Sequence, residues 1–318
     1  MTLTELKYIV AVAREKHFGK AAEACFVSQP TLSVAIKKLE EELDLKLFER
    51  SANEVTVTPL GEEIVRQAQS VLEQAANIKE IAKRGKDPLA GPLKLGVIYT
   101  IAPYLLPDLV RQAIARTPQM PLMLQENFTV KLLESVRTGE LDCAIMAEPF
   151  PDAGLAIAPL YDEPFVAVVP TSHPLAAQSH ITAQQLKAET MLLLGNGHCF
   201  RDHVLEVCPE FARFSSDAEG IRRSFEGSSL ETIKHMVAAG MGVTLVPRLG
   251  VPSEALDRKG GKRKRADEPY VKYLPFDGDP PTRRVVLAWR RSFTRYEAIA
   301  ALRNAIYACE LPGVKRLS

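Results

Sequence analysis

Hydrophobic positions in the first fifty residues recur at helical spacing, and polar punctuation breaks them twice. Thr2-Leu3-Thr4-Glu5 is a capping-box pattern, in which a threonine hydroxyl and a glutamate three residues on satisfy each other's backbone amides. It predicts a helix with Leu6, Ile9, Val10 and Ala13 on its apolar face. A second, short helix is predicted over residues 18–25, where Ala21 and Ala22 allow close helix approach. Residues 26–30 interrupt the pattern. Ser28 suits a cap there, and Pro30 the first turn of a third helix. Leu32, Ile36, Leu39 and Leu43 then form one buried stripe. The opposite face carries Gln29, Thr31, Ser33, Lys37 and Lys38, with Pro30 at its leading end. Such side chains reach base edges and phosphates.

Two short extended stretches, 47–50 and 55–58, flank the polar turn 51–54 and predict a β-wing. Arg50 would touch phosphate or the minor groove. From Pro59 onward Ile64, Ala68, Val71, Ala75, Ile78 and Ala82 alternate in steps of four and three, a coiled-coil seam on a long helix. The seam either packs back on its own domain or pairs with a second copy, and its length points to pairing. A two-fold dimer would present two third helices to a roughly palindromic site.

The pattern changes at residue 89. Strands are predicted at 92–98, 121–126, 141–146, 165–169, 191–194 and 221–227, helices at 103–116, 130–139 and 230–239, and a turn followed by a buried strand within 240–247. This alternation predicts an α/β domain of mostly parallel strands. Ligands in such folds bind beyond the carboxyl ends of strands, near helix N-termini. Thr100, Thr129 and Cys199 each follow a predicted strand and precede a helix, so all three should face one crevice. Either threonine equally suits plain helix capping.

Composition narrows the picture. The 318 residues, 25% charged and 46% apolar, suffice for two or three domains with proper cores. Glu5, Lys7, Arg14 and Glu15 exclude a secretory signal, and no apolar run approaches the ~18 residues of a membrane span. A cytoplasmic chain that binds no membrane is expected. The net charge of +1 gives no sign of nucleic acid, so DNA binding would require charge segregated onto one face. Lys37 and Lys38 on the third helix, with Glu40, Glu41 and Glu42 at its far end, supply that segregation.

Five cysteines are too few and too scattered for a disulfide framework. Cys25, Cys143 and Cys309 read as buried small hydrophobes. Cys199 and Cys208 stand apart. The residues between them have the periodicity of a short helix, which at ~1.5 Å per residue separates the two by about 13.5 Å. A disulfide needs Cα atoms within roughly 7 Å. Oxidation to a disulfide would have to unwind the segment. A reactive thiol must reach the thiolate form, and a helix N-terminus with His198 and Arg201 as neighbours would favour it. Two incidental cysteines remain an alternative. A zinc site built from His198, Cys199, His203 and Cys208 does not match the usual ligand spacings, and neither metal nor cofactor is expected.

Ala21-Ala22, Ser28-Gln-Pro-Thr-Leu-Ser33, Ile36-Lys-Lys-Leu-Glu40, Leu47-Phe-Glu-Arg50 and Thr58-Pro-Leu-Gly61 together resemble the LysR-type transcriptional regulators. Gly197-His-Cys-Phe-Arg-Asp202 followed by Cys208 resembles that family's hydrogen-peroxide-sensing members. The resemblance implies an α/β fold in three parts. A winged helix-turn-helix would cover 1–58 and a linker (dimerisation) helix 59–88. A two-lobed regulatory domain of periplasmic-binding-protein type would cover 89–318, with lobe I at 89–162 and 269–318 and lobe II at 163–268. It implies a regulator rather than an enzyme, with Cys199 as peroxidatic and Cys208 as resolving cysteine. Thr100 and Thr129 would orient the peroxide. The second arginine of Thr282-Arg-Arg-Val-Val286, Arg284, would polarise the sulfur. Implied partners are promoter DNA, RNA polymerase, hydrogen peroxide as signal, further copies of the chain forming a homodimer and then a homotetramer, and thiol reductants that reset the switch. Two rivals stand beside this reading: a family member that responds to a small organic effector, and a thiol peroxidase with a DNA-binding domain. The basic stretch 258–265 is longer than the family leads one to expect. It is either a solvated loop or a contact to DNA backbone or another subunit.

Overall fold

A computed structural model of the chain describes residues 1–50, 55–83, 87–208, 226–227, 229–256 and 270–317. The turn 51–54, the basic stretch 258–265 and residues 221–225 of one predicted strand lie outside the described residues. The chain divides into two units, Met1–Asp87 and Pro88–Ser318.

In the first unit, α1 (Leu3–Glu15) opens with the capping box: Thr2 Oγ1 accepts from the Glu5 amide at 3.2 Å, and the Thr2 amide donates to the Glu5 carboxylate at 2.7 Å. His17 Nδ1 caps α2 (Phe18–Ala24), and Ser28 caps α3 (Gln29–Leu43). Strands β1 (Phe48–Arg50) and β2 (Val55–Val57) pair antiparallel, and α4 (Pro59–Lys83) follows. Leu6, Ile9, Val12, Leu32, Ile36, Leu39, Leu47 and Phe48 fill the core. The predicted seam of α4 is divided. Ala68 joins this core and Ile64 packs against it, whereas Val71 and Ile78 farther along stay exposed. Glu40 is not on the solvent side. Its buried carboxylate accepts from the amides of Leu47 (2.9 Å) and Phe48 (3.3 Å), fastening β1 to α3, and pairs with Lys46.

The second unit begins with β3 (Leu93–Ile98), α5 (Ala102–Arg116), β4 (Leu122–Asn127), α6 (Thr129–Thr138), β5 (Cys143–Ala147) and the long β6 (Leu155–Pro170). Next come α7 (Ala183–Leu186), β7 (Leu193–Leu194), α8 (Cys199–Val207), β8 (Glu226–Gly227), α9 (Leu230–Ala238) and β9 (Thr244–Pro247). The unit ends with α10 (Ser253–Leu256), β10 (Val271–Pro275), β11 (Thr282–Arg290), α11 (Tyr296–Tyr307) and β12 (Lys315–Arg316). The main sheet runs in the order β10-β6-β11-β5-β3-β4. It is mixed, which corrects the expectation of mostly parallel strands. β3 lies parallel to β4 and β5, but β6, β9, β10 and β11 pair antiparallel. The cause is β6, whose 16 residues pass unbroken from one lobe into the other, so that β11 returns beside it in the opposite sense.

Each lobe has its own core. Leu95, Leu105, Leu132, Ile145, Val285 and Leu302 belong to the first; Phe165, Val168, Phe200, Val204, Cys208 and Leu245 belong to the second. The first crossing between lobes falls between Tyr161 and Phe165. The second falls after Phe276, later than the expected Pro269, because Val271, Tyr273 and Leu274 still pack in the second lobe, where β10 pairs with β6.

Candidate functional site

Three chain segments converge on Cys199. The turn after β3 brings Tyr99 and Thr100, the turn between β4 and α6 brings Phe128 and Thr129, and the start of α8 brings Gly197 and His198. They enclose a cavity of about 10 Å3, lined also by Ile98 and Asn127. That is room for roughly one molecule of water's size. A second cavity of about 120 Å3 shares Tyr99, Thr100 and His198 as walls and extends to Tyr104 and Glu231. Gly197 adopts φ +96°, a left-handed conformation that glycine takes freely, and lies against the Phe128 ring. The His198 ring packs edge-on to Phe128, centroids 4.8 Å apart, and Tyr99 closes the cluster at 5.2 Å from Phe128. Burial pushes the His198 ring below its ordinary value, so it is neutral at neutral pH. It is an aromatic wall with a hydrogen-bonding edge, not the expected cation.

Neither threonine caps a helix with its hydroxyl. Thr100 is buried, and its Oγ1 accepts from Arg283 Nη1 at 2.8 Å. Thr129 is the first residue of α6, and its buried Oγ1 has no hydrogen-bond partner.

Arg283, rather than the expected Arg284, is the arginine buried beside Thr100. Arg283 is buried, donates to the Thr100 hydroxyl and carbonyl, and holds Glu163 through two bonds of 2.8 and 2.9 Å. Its guanidinium also lies over the Phe200 ring at 5.2 Å. Arg284 points to the other face of β11, where it pairs with Asp162 and is half exposed. Successive side chains on a strand alternate faces, and with Val285 in the core Arg283 shares that side only through Arg284's exclusion from it. That alternation separates the two arginines, but the unbroken burial of Val285 to Ala288 hides from the sequence which of them faces Thr100. Glu163 has no local signal.

Burial pushes the Cys199 thiol above its ordinary value, while the nearby Thr129 hydroxyl and the Arg283 charge pull the other way. Burial thus works against the thiolate that the helix position alone favours. The pull of Thr129 on the sulfur is that of a weak hydrogen bond, too poorly formed to satisfy the buried hydroxyl. Arg201, the other expected cation, is buried and donates to Leu194 O at 2.9 Å, tying α8 to β7.

Cys199 and Cys208 are both free thiols and lie in different surroundings. Cys199, at the first residue of α8, packs against the first lobe's core, whereas Cys208, the C-cap of the same helix, is wholly buried in the second. The nine residues of α8 hold them about 13.5 Å apart. The zinc candidates are not gathered: His203 Nε2 donates to Glu148 O at 2.7 Å, and no metal-holding cluster of His, Cys, Asp or Glu occurs among the described residues.

The face of α3 opposite its core exposes Gln29, Pro30, Thr31, Lys37 and Lys38, with Ser33 half-buried at its margin. Val34 lies on the same face, and polar-residue reasoning missed it. Arg50 ends β1, pairing with Val55, and its side chain lies outside the described residues.

A helix-turn-helix head and a two-lobed domain with a buried thiol have known relatives. The model of the bacterial regulatory helix-turn-helix protein, lysR family, matches residues 3–62, and that of the LysR substrate binding domain matches residues 86–308. The hydrogen peroxide-inducible genes activator of Haemophilus influenzae is 37% identical over 318 residues, covering 99% of this chain and 100% of its own. Full-length OxyR of Pseudomonas aeruginosa, in a cysteine-to-aspartate form, is 49% identical with a TM-score of 0.72, covering 98% of this chain and 99% of its own. A cysteine mutant of Corynebacterium glutamicum OxyR with H2O2 bound is 33% identical with a TM-score of 0.59, covering 96% and 91%. The chain belongs to the LysR family of bacterial helix-turn-helix regulators, and within it to the OxyR group of hydrogen peroxide-inducible genes activators.

Proposed function

We propose that this regulator detects hydrogen peroxide at Cys199 and reports it by closing a Cys199–Cys208 disulfide. In the first step the Cys199 sulfur attacks one peroxide oxygen, the O–O bond breaks, and the thiol proton leaves with the departing oxygen as water. Cys199 becomes a sulfenic acid. In the second, the Cys208 sulfur attacks the sulfenic sulfur, and a second water leaves as the disulfide forms. Two thiols from a cytoplasmic reductant return both cysteines to their starting state.

The observation that carries this reading is the buried Thr129 hydroxyl beside Cys199, which no other protein group engages, in a cavity of about 10 Å3. Its free hydrogen-bonding capacity suits a peroxide oxygen. The Thr100 hydroxyl accepts from Arg283, so its own proton is available for the departing oxygen. The Arg283 charge, whose field already acts on the sulfur, stabilises negative charge that develops during transfer.

The second step couples chemistry to shape. Two cysteines about 13.5 Å apart on an intact helix cannot bond, so closure selects a state in which α8 has unwound. That state would rearrange a homotetramer assembled from dimers and shift its contacts along promoter DNA, bringing RNA polymerase to the start site. Gln29, Pro30, Thr31, Ser33, Lys37, Lys38 and Arg50 would form the DNA contacts. The regulator is not a catalyst in this scheme, since each chain consumes one peroxide per reset.

A promoter footprint of reduced and peroxide-treated protein, with Cys199→Ser alongside, tests the reading. The wild-type footprint should change on oxidation and that of Cys199→Ser should not. An unchanged wild-type footprint would sink the redox switch, and rapid peroxide turnover would favour a peroxidase.

A further inference from the structure

The DNA face of α3 has an apolar centre. Val34 is 69% exposed, one turn after Pro30 and one turn before Lys37 and Lys38, on the stripe opposite Leu32, Ile36 and Leu39. It adds nothing to the core of its own unit, and a β-branched side chain in an exposed helix interior lowers helix propensity. Pro30, also exposed, extends the apolar strip toward the helix N-terminus. Basic side chains border it: Lys37 is open to solvent and held only by a loose 3.7 Å pair with Glu41 that a phosphate can replace. An apolar strip flanked by lysines on a helix that enters the major groove matches one feature of the groove's edge code. Thymine alone among the bases presents a methyl group there.

We propose that Val34 reads the 5-methyl group of a thymine in each promoter half-site. The inference rests on α3 being the recognition helix. Contact with one methyl group is worth about fourfold in affinity per half-site. Lysine contacts to phosphate act on every sequence alike.

The test uses the full-length protein and a duplex that the wild type selects from a randomised pool. Each thymine is replaced singly by 2′-deoxyuridine, which pairs identically but lacks the methyl group. Wild type should bind about fourfold more weakly when one particular thymine in a half-site is replaced. Val34→Ala should bind the thymine duplex correspondingly more weakly and be indifferent to that replacement. Lys37→Ala should weaken binding to all duplexes, keep the thymine preference, and lower the salt dependence by about one ion. Binding to an unrelated duplex checks that Val34→Ala is folded. Full thymine preference in Val34→Ala, or none in wild type at any position, would overturn the inference while leaving α3 as the recognition helix. If Val34→Ala and Lys37→Ala both bound every duplex as wild type does, the assignment of α3 would fall with it.

Discussion

Helices α3 and α8 both open at functional residues, yet they are held in opposite ways. α3 has 15 residues, a serine cap bonded to the Thr31 amide, a proline in its first turn and a left-handed Asp44 at its end. Its start and stop are written into its own residues. α8 has nine residues, no side-chain cap at its start, and Cys208 at its end. Isolated helices shorter than about 12–15 residues are marginal in water. α8 persists because Phe200, Val204 and Cys208 are buried in the second lobe, Arg201 bonds to β7, and His203 bonds to Glu148. A helix held from outside can be released by a change outside it. On the proposed function, the element that reads DNA is locally determined, and the element that unwinds is not.

The largest test of this contrast removes an outside support. Arg283→Met would leave Glu163 buried without its partner and take the guanidinium off the Phe200 ring. A loss of about 3–5 kcal/mol in the stability of the second unit is expected by urea unfolding, with slower oxidation of Cys199 by peroxide. Arg284→Met, which breaks an exposed pair with Asp162, should change little in either measurement. Greater damage from Arg284→Met would reverse the assignment.

A local test gives a smaller effect. Ser28→Ala removes the cap of α3 and should lower the first unit's stability by about 1 kcal/mol in thermal melts, with weaker promoter binding. The rate of Cys199 oxidation should not move. If it does, the two helices are not independent.

The smallest expected effect concerns pH. Burial lowers the pKa of both His198 and His203, so the folded second unit keeps them neutral while the unfolded chain takes up protons near the ordinary histidine value. Their contribution to stability is fully present above about pH 6.5 and is lost as pH falls below it toward the lowered folded-state values. The urea midpoint of the second unit should therefore drop between pH 7 and pH 5.5. His203→Gln, which keeps a donor for Glu148 O, should flatten the decline. A midpoint equally sensitive in that variant would remove His203 from the account.

Periodicity and end signals made the first unit legible: the Thr2–Glu5 capping box, the Ser28 cap and the Leu32–Ile36–Leu39 stripe all stand where the pattern puts them. The burial of Glu40 was not legible because a carboxylate's burial depends on which amides reach it, here those of Leu47 and Phe48. Val34 was missed because reading by polarity discards apolar residues on a polar face. In the second unit the positions of Thr100, Thr129 and Cys199 at strand ends were legible, but their bonding was not. Both hydroxyls looked like caps, and one is held by a residue 183 positions away while the other has no hydrogen-bond partner.

The chain's own order of residues determines the helix-turn-helix, the long helix after it, the alternation of strands and helices, and the nine-position spacing of Cys199 and Cys208. These depend on neighbours a few positions apart, which local spacing records. Only the tertiary structure decided which arginine reaches Thr100, that burial pushes the Cys199 thiol up, and that the two cysteines of one helix pack against different cores. Val285 to Ala288 of β11 are buried in an unbroken run, with an irregularity between Val285 and Val286, so period alone does not tell which side faces Thr100. The distance between the cysteines is set by a helix, but the possibility of abolishing that distance is set by the two lobes that hold the helix in place.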